Sequence, residues 1–110
     1  MSLYLAVFDG DDELAGLIAG AYSDFGTFRE AAQRTAAETN TDLTTLLNHS
    51  DCEGEWGVQE LPALCSELKA LMAAGGAACD VRTVEGLLLV EELLQLATFA
   101  REQQLPILFQ

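Results

Sequence analysis

The sequence predicts a single α+β domain spanning residues 1–110, with a mixed sheet of about four strands packed with three helices in the order β-β-α-β-α-α-β. Three observations predict it. The chain has 110 residues, half of them hydrophobic, which suits one core of two packed layers. Its two ends, Ser2 to Phe8 and Leu105 to Gln110, are short apolar runs bounded by a polar turn cluster or led by a proline, as strands are. Between them, three stretches repeat apolar residues at helical spacing.

Ser2 to Phe8 forms the first strand and stops at the polar turn cluster Asp9-Gly10-Asp11-Asp12-Glu13. Leu17 to Tyr22 is the second, antiparallel to the first across a loop of about eight residues. Ser23 then stands where a helix N-cap belongs, with Asp24 in the first turn and Phe25, Phe28, Ala32 and Ala36 at helical spacing as far as Thr39. Thr27 to Glu30 also fits a capping box, which would start the helix four residues later. After a break at Asn40-Thr41-Asp42, the β-branched and leucine-rich Thr44 to Asn48 reads as the third strand, and His49 to Gly57 as a loop. Leu61, Leu64, Cys65, Leu68, Leu71 and Met72 form one apolar stripe of a second helix, which carries Pro62 in its first turn and ends at Gly75-Gly76. Ala77 to Arg82 is a loop or a short edge strand. Val84 to Gln103 is the third helix, with a polar stripe at Glu91, Gln95, Thr98 and Glu102. Its apolar arc looks too wide for a two-layer domain to hide, so a homodimer contact around Leu88 is expected. Leu105 to Gln110 closes the sheet.

Eighteen Asp and Glu against five Lys and Arg give a net charge of −13. Phosphate backbones and anionic membrane surfaces repel such a surface, so nucleic acid and membrane are excluded as partners. A basic protein is the complementary choice. The amino terminus has no basic flank or cleavage site, and Glu91 and Glu92 interrupt the other apolar stretch well short of the roughly 18 uncharged residues a span needs. Cys52, Cys65 and Cys79 form no CxxC or Cys/His pair, which fits a reducing cytoplasm.

Three stretches together carry a resemblance: the opening Ser2-Leu3-Tyr4-Leu5-Ala6-Val7-Phe8-Asp9, the central His49-Ser50-Asp51-Cys52-Glu53-Gly54-Glu55-Trp56, and the closing Leu105-Pro106-Ile107-Leu108-Phe109-Gln110. They resemble the immunity protein 70 family, predicted antidotes of bacterial polymorphic toxin systems, and Gly20 to Phe28, with Tyr22, Asp24 and Phe28, is also similar. The sequence departs from that pattern after Trp56, where Gly57-Val58 replaces a Ser-Pro or Thr-Pro helix start. It departs again at Gly75 to Val84, which lacks an acidic strand. The resemblance implies an α+β protein that binds a cognate toxin and performs no catalysis of its own.

Read by their chemistry, His49, Asp51, Cys52, Glu53 and Glu55 crowd one loop and include the common metal-ligand types. They lack an HExxH or EF-hand frame, and one histidine leaves no second imidazole for a usual zinc site, so neither metal nor cofactor is expected. Cys52 and His49 have no third group to orient the imidazole, so no catalytic residue is expected either. The first expectation is thus a non-enzymatic inhibitor that docks an acidic face on a basic toxin domain. Asp51, Glu53, Glu55 and Trp56 are its contacts, followed by Asp11, Asp12 and Glu13. Trp56 also suits packing over the second helix. The alternatives are a small metal-dependent hydrolase using His49, Asp51 and Glu55, and a homodimeric structural protein.

Overall fold

The computed structural model describes residues 2–47, 54–74 and 88–110. It shows the expected α+β domain, with strands β1 (Ser2–Asp9), β2 (Asp12–Ala21), β3 (Glu55–Trp56) and β4 (Ile107–Phe109) and helices α1 (Tyr22–Thr39), α2 (Leu61–Ala74) and α3 (Leu89–Gln103). The element order is the one read from the sequence. Ala77 to Arg82 and the start of the third helix at Val84 lie outside the described residues.

The four strands form one sheet in the order β2-β1-β4-β3. Each of its pairings is antiparallel, where the sequence led us to expect a mixed sheet. The closing strand enters between β1 and β3 and runs against both, so it sits inside the sheet. β1 and β2 are joined by a turn of two residues, Gly10 and Asp11, where a loop of about eight was expected. Gly10 has φ 64° and Asp11 a negative φ, the pattern of a II′ hairpin that matches strand twist, and glycine is the residue that takes the first position freely. Asp12 and Glu13 therefore belong to β2 rather than to a loop.

Helix α1 begins one residue before the expected Ser23 cap. Ala21 is the N-cap, and the Asp24 carboxylate reaches back to accept its backbone N–H at 3.0 Å, close to the positive end of the helix. Thr27, the alternative cap, lies inside the helix and donates to the Ser23 carbonyl. The helix stops at Asn40 in left-handed conformation, with φ 53°.

The expected third strand at Thr44 to Asn48 is not a strand over its described residues. Leu43 to Leu47 make a single helical turn, closed by the Leu47 N–H donating to the Leu43 carbonyl at 3.0 Å. Asp42 caps it by accepting the Thr44 N–H and hydroxyl, and those bonds hold its carboxyl below the usual range. Three other elements pin the turn through side chains. Arg29 of α1 donates to the Leu47 carbonyl at 2.8 Å, Glu67 of α2 accepts the Leu46 N–H at 2.9 Å, and the Trp56 indole donates to the Thr45 carbonyl at 3.0 Å. Leu43 and Leu46 are buried beneath it. The third strand is instead Glu55–Trp56, within the segment read as a loop.

All three helices lie on one face of the sheet. Their buried residues join Leu3, Leu5, Val7, Leu17, Ala19, Ile107 and Phe109 in a single core cluster. Phe28, Phe25, Phe109 and Trp56 form a chain of aromatic contacts through it, with centroid separations of 5.8, 6.3 and 4.8 Å. The apolar arc of α3 is internal: Leu89, Val90, Leu93, Leu96, Ala97 and Ala100 are buried, and Glu91, Gln95, Thr98 and Glu102 form the outer stripe as expected. Leu88, the N-cap of α3, is half-buried against the core, so an unhidden arc no longer argues for a contact there. No described helix is long and apolar enough to cross a membrane.

Candidate functional site

Because strand side chains alternate, the second face of the sheet follows from the register. Leu5 and Val7 point to the helices, so Tyr4, Ala6 and Phe8 point away from them. Ala6 is buried yet stands outside the core cluster. Opposite these residues the pairing sets three rows: Tyr4 beside Ile18, Gly16-Ala6-Leu108-Glu55 straight across four strands, and Phe8 beside Glu13.

Glu13 and Glu55 therefore share the helix-free face, although they lie on strands at opposite edges of the sheet. Both are exposed. With three strand spacings between them, they flank the face at a separation of roughly 14 Å or more. Asp11 is exposed at the hairpin tip, and Asp12, paired with Asp9, is exposed on the opposite side of the strand from Glu13, so of the seven expected contacts the register brings Glu13 and Glu55 to one face. Asp51 and Glu53 lie outside the described residues, as do His49 and Cys52. Among the described residues no group of three or more His, Cys, Asp and Glu is placed to hold a metal ion. Cys65 is a free, buried thiol of α2.

Trp56 requires a correction. Its side chain is 0% exposed, packed on Phe109 and hydrogen-bonded through its indole to Thr45, so it is a core residue and not a surface contact. The strand alternation explains this: Trp56 pairs with Ile107 on the helix side, which puts its neighbour Glu55 on the other.

Tyr4, which the sequence did not mark as functional, organises the helix-free face. Its ring lies across Gly16, where an added Cβ would fall 1.9 Å from the phenol oxygen, and its hydroxyl donates to Glu13 at 2.9 Å. A side chain at position 16 would displace the ring, so the absence of one permits the Tyr4–Glu13 contact. Removal from water first, then the hydrogen bond to Glu13 and its negative charge, raise the Tyr4 phenol above its ordinary value. The stability tied to this contact is thus fully present below the unfolded chain's tyrosine pKa and is lost as pH rises through the folded one. In a Tyr22→Phe variant, leaving Tyr4 as the sole tyrosine, the alkaline absorbance titration is expected above that of the unfolded chain. Glu13→Ala should bring the midpoint down, and an unmoved midpoint would show that Glu13 does not hold the phenol.

A shallow groove of about 250 Å³ runs between β2 and α3, lined by residues that include Gly16, Leu17, Glu92 and Phe99. Glu92 is the one ionisable side chain among its described lining residues. The chain matches no known family model, no curated protein and no solved structure.

Proposed function

We propose that this protein is a non-enzymatic inhibitor, of the immunity-protein kind its sequence resembles, that binds and neutralises a basic bacterial toxin domain in the cytoplasm. One observation carries the reading: Glu13 and Glu55 are exposed at the two edges of one sheet face, in a chain whose net charge is −13. A face of one sign steers an oppositely charged partner and so raises its association rate more than its residence time.

The test is coexpression with the product of the neighbouring gene in a bacterial host. Growth arrest by that product alone, relieved by this chain, is the expected result. With both proteins purified, the association rate should fall steeply as salt brings the Debye length to roughly 8 Å and below, with little change in dissociation. Glu13→Lys and Glu55→Lys should each slow association, by about tenfold when combined. Persistent growth arrest in the presence of the folded chain rules out the inhibitor reading, and unchanged rates in the variants rule out the acidic face.

A further inference from the structure

Resting on that inhibitor reading, we infer that the contact surface is the helix-free face of the sheet, and that its occupant is a basic protein surface that inserts an apolar side chain between Tyr4, Phe8, Ile18 and Leu108. The four side chains come from three adjacent strands: Ile18 pairs with Tyr4, and Leu108, opposite Ala6, lies diagonal to both Tyr4 and Phe8. Ile18 is 38% exposed, and the other three are half-buried, although this face carries none of the three helices. Such an apolar group, on a sheet face that none of the described helices covers, is costly to leave in water, and in soluble proteins it marks an interaction surface.

The rim identifies the occupant. Glu13 and Glu55 stand at the two edges of the same face, with the acidic hairpin tip beyond Glu13. An apolar centre with a charged rim is the anatomy of a specific protein interface, and here the rim has one sign. A second copy of this chain would bring its own acidic rim and −13 charge against the first, so self-pairing is opposed. A surface of Lys and Arg around one aliphatic or aromatic residue satisfies both parts. The centre and the rim then act on different rates: the acids set how fast the partner arrives, and the apolar group sets how long it stays.

The experiment uses the full chain and the neighbouring gene's product. Ile18→Lys alters an already exposed position and should speed dissociation on the order of 30-fold. Met72→Lys, the same change at a 36% exposed position of α2, should leave binding at the wild-type level. Circular dichroism confirms that each variant is folded. Methyl NMR of the wild-type chain supplies a measurement free of substitution, with shifts on binding expected at Ile18 and Leu108 and none at Met72. Wild-type binding by Ile18→Lys, with shifts confined to the helices, overturns the face while leaving the inhibitor reading standing. Concentration-dependent shifts of Ile18 and Leu108 without any partner overturn it in favour of a second copy. Failure of the wild-type chain to bind the product at all overturns both.

Discussion

The double variant Ile107→Ala/Phe109→Ala is expected to lose cooperative unfolding at 25 °C. Both side chains leave β4 toward the helices. Ile107 is completely buried and Phe109 is 9% exposed. Ile107 packs between Val7 and Trp56 in the register, and Phe109 contacts both Trp56 and Phe25. Truncating a buried isoleucine costs about 2–5 kcal/mol and a phenylalanine about 3–5 kcal/mol, cavity terms included. The two sites share Trp56, so the sum is not strictly additive, but it approaches the whole of the roughly 5–15 kcal/mol that holds a small domain folded. The backbone adds to the effect. β4 pairs with β1 and β3 together, and the Phe109 N–H donates to the Gly54 carbonyl at 2.9 Å, so a frayed β4 also releases β3. Urea unfolding followed by circular dichroism checks this. A sharp transition near the wild-type midpoint would mean that β4 is not internal to the sheet.

Trp56→Ala is expected to destabilise the fold by about 3–5 kcal/mol, the largest effect of any single substitution proposed for this chain. The variant empties the space between Phe109 and the turn at Leu43 to Leu47, and it removes the indole N–H from the Thr45 carbonyl. Trp56→Phe separates the two contributions. It refills most of the cavity but leaves the carbonyl without its donor, and should cost about 1–3 kcal/mol. Because Trp56 is the sole tryptophan, unfolding must be followed by circular dichroism rather than by its fluorescence. In a binding assay performed well below the unfolding midpoint, neither variant should alter the dissociation rate beyond what lost folding explains. A wild-type midpoint for Trp56→Ala, combined with fast dissociation from the neighbouring gene's product, would return Trp56 to the surface.

These two effects bear on function through rigidity. Glu55 has its place because Trp56 is locked into the core one residue later, and its strand is held to β4 by register. Glu13 has its place because Tyr4 bridges the bare backbone of Gly16. The Glu13 carboxylate and the backbone position of Glu55 in the proposed rim are thus set by packing, which lowers the reordering a partner must impose to bind.

The sequence by itself determined the class of the fold, the element order, and most of α1, α2 and α3. These follow from local patterns: apolar spacing of 3.6 residues, a carboxylate in the first turn of α1, Pro62 where a helix tolerates it, and a polar stripe along α3. The net charge of −13 was equally plain. What the tertiary structure decided is non-local. Leu43 to Leu47 have strand-like composition, yet they form a helical turn because Arg29, Glu67 and Trp56 bind its backbone from three separate elements. Glu55–Trp56 is too short for any periodicity to reveal, and it is a strand only because β4 offers it an edge. The antiparallel sheet follows from the direction in which β4 enters beside β1, which no local signal encodes. The joining of Glu13 to Glu55 on one face, and the removal of Trp56 from it, depend on register, since a shift of one residue sends every side chain of a strand to the opposite side.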